Sequence, residues 1–210
     1  MRLDKVILKA AFSTLGAILV LLIVMFCALS FIFPQTMVEF TYTMGMDGAS
    51  IHFATRSYDA TGDIYYIAYA FETAIGAEDY ANVDVCGEKL IADSDEFASY
   101  CVSRTEKFPE GVTGTYADYV YRQVCTAKYR CGNSQAALNR ALQLCGENKF
   151  ERNNAMVAVI FAAIAQKDGA TVSSALQAMQ SINTTQLSSA DQQYLADVIA
   201  AAQEWTDKNS

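Results

Sequence analysis

Hydrophobic and polar positions divide the chain into one long apolar stretch and a series of short segments with helical periodicity. Residues 10–33, from Ala10 to Phe33, carry no charge. At about 1.5 Å rise per residue they predict a helix of about 36 Å, longer than the roughly 30 Å hydrocarbon layer of a bilayer. Pro34 ends that segment. No later stretch reaches the length needed to span; Ala155–Ala165 comes nearest.

Beyond Pro34 the apolar residues recur every three or four positions, between turns marked by glycine or by a capping residue. This predicts helices over Gln35–Met44, Gly48–Asp59 with Asp47 as cap, and Ile64–Ile75 with Asp63 as cap and Gly76 as stop. Further helices are predicted over Glu78–Ala92, with Val83, Cys86 and Leu90 inward, and Asp95–Lys107, with Phe97 and Cys101 inward. Pro109–Gly114 reads as a loop. A second series follows: Tyr116–Arg130, Ser134–Glu147 capped by Asn133, Ala155–Lys167 capped by Asn153 or Asn154, and Val172–Ile182 capped by Thr171. Ser189 and Gln192 form a capping-box pattern that opens a last helix through Trp205. Ala155–Lys167 is apolar nearly all round and is predicted to be central and buried. No alternating strand pattern competes with this all-α reading.

Charge gives the long apolar helix a direction. Arg2, Lys5 and Lys9 precede it, and the next basic residue is Arg56. That asymmetry predicts a cytoplasmic N-terminus (residues 1–9) and an extracytoplasmic domain over 35–210, on a cell membrane. A cleaved leader has an apolar core of about 7–15 residues. Residues 10–33 exceed this, and Ala28-Leu29-Ser30 is a poor cleavage site. Val24-Met25-Phe26 also lacks the small residues that lipoprotein processing at Cys27 would need. A lasting anchor is therefore expected, with Ala10 and Phe33 as its ends.

From Gln35 onward there are twelve Lys and Arg against twenty-two Asp and Glu, a net charge of −10. Such a domain repels phosphate backbones, so nucleic acid is excluded as a partner. It also repels anionic lipid headgroups, which predicts that it stands off the bilayer or meets a basic partner. Cys86, Cys101, Cys125, Cys131 and Cys145 are an odd number, so not all can pair within the domain. Most are expected as small core residues. His52 is the only histidine, which leaves no Ser-His-acid triad and no ordinary zinc site. There is no phosphate-binding glycine loop. The acidic pairs at Glu78-Asp79 and Asp93–Glu96 fall at helix starts, where carboxylates favour the dipole. Asn183-Thr-Thr185 is a glycosylation sequon. No catalytic residue, cofactor or metal is expected.

The helices also repeat. With Gly45, Ala77, Gly132 and Gly169 aligned as turns, the sixth residues on are Ile51, Val83, Leu138 and Ala175, and the ninth are Ala54, Cys86, Ala141 and Ala178. The thirteenth are Tyr58, Leu90, Cys145 and Ile182. This resembles the tetratricopeptide repeat, an antiparallel helix pair of about 34 residues. The family's first-helix Trp, its Leu-Gly-x-x-Tyr pattern and its closing Pro are absent. The resemblance therefore implies architecture, an α-solenoid of antiparallel helix pairs after one transmembrane helix, and no binding residue.

Tyrosines crowd the first helices of the pairs: Tyr42, then Tyr65, Tyr66 and Tyr69, then Tyr116, Tyr119 and Tyr121. In the resembled family first helices line the concave side, and tyrosine offers area and a hydroxyl at low entropic cost. Tyr42, Tyr65, Tyr66, Tyr69, Tyr116 and Tyr119 are the candidate partner-binding surface, for a protein or peptide. The alternative expectation is a structural subunit that assembles through its membrane helix, where Ser13, Gly16 and Ala17 allow close approach.

Overall fold

The computed structural model describes residues 3–104, 115–145, 150–185 and 187–209. Among them all regular structure is α-helical, in eleven helices. The expected loop at Pro109–Gly114 lies outside the described residues. The chain forms two compact units, Met1–Asp63 and Ile64–Ser210, so the division falls inside the region read from sequence as one domain.

The first unit holds α1 (Leu3–Ile32), α2 (Pro34–Thr43) and α3 (Asp47–Thr61). Within α1 the segment Lys9–Ser30 is long and apolar enough to cross a membrane, with a mean hydropathy of 2.7. Phe12, Leu15, Leu22 and Val24 are all more than half exposed. Two of its hydroxyls turn back onto its own backbone: Thr14 Oγ1 donates to Ala10 O at 2.9 Å and Ser30 Oγ to Phe26 O at 2.7 Å. That satisfies both donors without water. Phe33 falls outside α1, at the N-cap position of α2 (φ −131°, ψ 64°). Pro34 opens α2 at its first turn, where a missing N–H costs nothing. The predicted cap Asp47 is instead the first residue of α3; Met46 holds the cap position without a side-chain bond. The helix gains one more residue from the turn, and Asp47 acts on its dipole.

The second unit contains α4 (Ile64–Gly76), α5 (Tyr80–Ala92), α6 (Ser94–Arg104), α7 (Tyr116–Arg130), α8 (Ser134–Cys145), α9 (Phe150–Ala165), α10 (Gly169–Gln180) and α11 (Ser189–Asn209). Chain neighbours α4 and α5, α7 and α8, and α9 and α10 pack in pairs. The pairs are joined laterally, α5 on α7, α7 on α9 and α8 on α9, while α11 rests on α9 and α10. Helix α6 packs on α4, α5 and α7. Helix α9 supplies the largest share of the core, with Met156, Val157, Val159 and Ile160 buried, although Phe161 is half exposed. It starts before Asn153 and Asn154, so neither caps it. Asn154 sits buried inside the helix, its Oδ1 without a hydrogen-bond partner among the described residues.

Four pairs, α2/α3, α4/α5, α7/α8 and α9/α10, share one three-residue turn. The middle residue is left-handed: Gly45 (φ 67°), Glu78 (φ 54°), Gly132 (φ 81°) and Lys167 (φ 56°). The next N–H donates five residues back in every case: Met46 to Thr41 O, Asp79 to Ala74 O, Asn133 to Lys128 O and Asp168 to Ala163 O, at 2.9–3.2 Å. This bond closes a Schellman motif. That next residue is also the cap of the second helix. Asp79, Asn133 and Asp168 accept from the N–H groups of Asn82, Ala136 and Thr171.

The turn corrects the repeat register read from sequence: Ala77 lies one residue before the left-handed Glu78, Gly169 lies two after the left-handed Lys167 as the first residue of α10, and Asp168, not Thr171, is the cap. Counted from the left-handed residue, positions five, nine and twelve are buried in every second helix. They are Ser50, Ala54 and Ser57; Val83, Gly87 and Leu90; Ala137, Ala141 and Leu144; and Val172, Leu176 and Met179. Spacings of four and three place them on one helix face. The last helix shows a similar slip. Ser188, not Ser189, is the cap: its Oγ accepts from Asp191 N and donates to Asp191 Oδ2, while Gln192 reaches back to Leu187 O.

Candidate functional site: a tyrosine cluster around Glu72

Helix α4 reads Ile-Tyr-Tyr-Ile-Ala-Tyr-Ala-Phe-Glu-Thr-Ala-Ile-Gly, and Glu72 is its only charge. Ile67, Ala68, Phe71 and Ala74 are buried, while Tyr65, Tyr69 and Glu72 follow one another at helical spacing on another face. Tyr65 is 57% exposed and meets Tyr66 edge to face at 6.2 Å. Tyr66 and Tyr69 are half-buried.

Two partners converge on one oxygen of Glu72. The Tyr116 hydroxyl donates to Oε1 at 2.8 Å, and Arg104 Nη2 lies 2.5 Å from the same atom. The guanidinium carbon of Arg104 also lies 5.4 Å from the ring centre of Tyr116 and 6.0 Å from that of Tyr100. The rings continue as a chain. Tyr100 meets Tyr116 at 5.6 Å, Tyr116 meets Tyr119 at 6.0 Å, and Tyr119 meets Phe71 at 6.4 Å. Burial pushes Tyr100 up to about 12 and also raises Tyr119. Tyr116 is raised by burial first and then by the Glu72 charge. These phenols stay protonated at neutral pH, so they serve as hydrogen-bond donors and apolar surface rather than as bases.

The six candidate tyrosines therefore separate. Tyr65, Tyr66 and Tyr69 lie along α4, and Tyr119 on α7 is half-buried. Tyr42 is exposed on α2, in the other unit. Tyr116 is fully buried, which corrects its place in a partner surface: the bond to Glu72 and the covering guanidinium hold its ring inside. Sequence reading missed Glu72, Tyr100 and Arg104. The lone carboxylate in an otherwise uncharged helix was the available signal for Glu72. Arg104 and Tyr100 gave none, because α6 reaches the cluster only through tertiary packing.

A second polar group ties helices together. Lys128 Nζ lies 2.6 Å from Asp84 Oδ1 and 3.0 Å from Glu88 Oε1. Arg140 grips both oxygens of Glu88 through Nε and Nη2, at 3.0 and 2.7 Å. This clamps α5, α7 and α8 with a two-pronged charge-assisted contact. Burial disfavours the Lys128 charge, but the bonds to Asp84 and Glu88 outweigh it and hold its pKa above the ordinary value.

At the turns, Tyr80, Tyr129, Arg130, Gly132, Ser134, Gln166 and Asp168 line an open pocket of about 490 Å³. Arg130 lies over the Tyr80 ring at 5.9 Å. Asp168 is occupied by its own fold: Thr171 Oγ1 donates to Oδ2 at 2.5 Å and Tyr129 to the same oxygen at 3.1 Å. Cys86, Cys125 and Cys145 are core residues and Cys101 is close to fully buried. Burial pushes Cys101, Cys125 and Cys145 up to about 12, which leaves neutral thiols. Among the described residues no group of three His, Cys, Asp or Glu could hold a metal ion. His52 is exposed, its ring beside Phe53. No family model matches the chain, and no curated protein or solved structure matches it.

Proposed function

We propose that this protein is a membrane-anchored, non-catalytic interaction module, held by α1 with its second unit outside the cell. The observation that carries the reading is the aromatic face of α4. Tyr65 is exposed, with Tyr66 and Tyr69 beside it, and a part-buried ion pair and hydrogen bond on Glu72, further along the same helix, tie α4 to its neighbours. Pre-ordered tyrosines are strong anchors for a partner, since little side-chain entropy remains to be lost. The shared turn and the recurring buried stripe support stacked helix pairs of the tetratricopeptide kind, whose first helices line a concave side. With a net charge of −10 beyond Gln35, a partner segment carrying Lys or Arg fits best.

A second reading is supported by α1. Its apolar side chains are exposed around the helix, so it offers a surface to other membrane helices as well as to lipid. The two readings separate in one experiment. Full-length protein in native membranes is compared with the Tyr65→Ala, Tyr69→Ala double variant, with circular dichroism confirming the fold. Loss of a cross-linked partner in the variant supports the α4 surface. An unchanged partner that disappears only when Ser13, Gly16 and Ala17 are replaced by Leu favours assembly through α1.

A further inference from the structure

Helix α2 has three distinct faces. Met37, Val38 and Thr41 are buried, and α2 packs on α3, with Ser50 Oγ donating to Val38 O at 3.2 Å. Gln35, Glu39 and Tyr42, at spacings of four and three, form an exposed polar stripe. On the opposite flank Phe40 lies between the two capping residues, Phe33 seven before it and Met44 four after it. Phe33, Phe40 and Met44 are 51%, 49% and 62% exposed, an apolar stripe that nothing in the first unit covers fully.

That stripe adjoins α1. Phe40 and Phe26 lie seven residues on either side of Phe33, and about 10 Å of helix separates each from the bend. In a straight helix the two residues would stand about 21 Å apart along the axis. Their ring centres are instead 6.5 Å apart, edge to face. Helix α2 is therefore turned sharply back toward α1, and Phe26 belongs to the segment long and apolar enough to cross a membrane. A ring in contact with Phe26 is at the depth of that segment's outer end.

We propose that the Phe33, Phe40 and Met44 face of α2 is a lipid-binding surface, seated in the interfacial layer of the bilayer that α1 crosses. The inference rests on the reading of α1 as membrane-spanning. Aromatic residues favour this layer, and an amphipathic helix lies in it with its apolar side down and its polar side in water. Between Lys9 and Arg56 there is no Lys or Arg, so the attraction is apolar and needs no anionic lipid. The acidic chain thus does not stand clear of the bilayer throughout, as charge alone predicts: one helix rests on it.

The test uses single tryptophans in the full chain, in a Trp205→Phe background, reconstituted in vesicles of phosphatidylcholine brominated high on the acyl chain. Leu19→Trp reports on α1 itself, in vesicles brominated deep in the chain. Phe40→Trp and Tyr42→Trp report on the two flanks of α2. The expected result is blue-shifted, strongly quenched emission for Phe40→Trp and water-like, far less quenched emission for Tyr42→Trp. Quenching of Leu19→Trp with equal emission and quenching for the two α2 probes would overturn the inference and leave the anchor intact. Unquenched Leu19→Trp would overturn the anchor and the inference with it.

Discussion

The Tyr116 hydroxyl and the Arg104 guanidinium share one oxygen of Glu72, at 2.8 and 2.5 Å. Three helices, α4, α6 and α7, thereby meet at a single carboxylate. Removing that carboxylate takes the acceptor from a buried phenol's bond and the anion from beside a part-buried cation. Glu72→Ala should cost about 1–3 kcal/mol, whereas Tyr116→Phe, which removes only the donor, should cost about 1 kcal/mol. The double variant should fall short of the sum, because both changes break the same bond. Urea denaturation of the three variants checks this; fully additive losses would show that the shared bond contributes nothing.

Gly87 lies where α5 meets α7 and α4. A Cβ built there runs into Val124 Cγ2 and comes 3.0 Å from Phe71 Cε2. Gly87→Ala should therefore destabilise by about 1–3 kcal/mol through overpacking, although alanine is the better helix former. Adding Val124→Ala should recover part of the loss, since the removed methyl is the one in the way. Thermal melts of the single and double variants measure both effects, and a stabilised Gly87→Ala would refute the close approach.

The four equivalent turns differ in chemistry. Gly132 meets the left-handed backbone without cost, while Lys167 carries a side chain in the same conformation. Left-handed backbone costs a non-glycine residue about 1–2 kcal/mol, and glycine gives back about 0.5–1 kcal/mol in chain entropy. Gly132→Ala should thus lower stability by about 1 kcal/mol, and Lys167→Gly should raise it by less than that. Paired denaturation curves test the sign, which must be opposite at the two sites.

Asp168 caps α10, and the Thr171 hydroxyl, the Thr171 N–H and the Tyr129 hydroxyl hold its carboxyl below the ordinary value. A depressed folded pKa means that its contribution is complete above the ordinary carboxylate pKa. It is lost as pH falls through that value toward the lower one. Asp168→Ala should cost about 1 kcal/mol at neutral pH, and Asp168→Asn, which still caps, much less. Melting temperatures recorded between about pH 6 and about pH 3 should fall less steeply for Asp168→Asn than for the wild type. Equal slopes would remove Asp168 from the acid response.

Much of the helix map was legible because helix signals are local. Apolar periodicity placed the helices, and the predicted inward residues Val83, Cys86, Leu90, Ala137 and Ala141 are buried. Turn register was harder. Gly76 and Gly169 looked like the turn residues, but Gly76 is the last residue of α4 and Gly169 the first of α10, and Glu78 and Lys167 take the left-handed backbone instead. The caps Asp79 and Asp168 set where the next helix starts, and a strained residue before each is the cost. The tyrosines were visible as a set, yet composition could not tell the buried Tyr116 from the exposed Tyr65.

By itself the sequence determined the all-helical composition, the uncharged stretch long enough to cross a bilayer and the acidic balance of everything after it. These follow from residue type and spacing, which act within one helix or over the whole chain. Tertiary structure alone decided which tyrosines reach the surface, that Glu72 joins α6 to α4 and α7, and that α2 turns its Phe40 back onto Phe26. Those are contacts between residues distant in sequence or across a bend. They depend on the angles at which helices pack, and no periodicity along the chain records an angle.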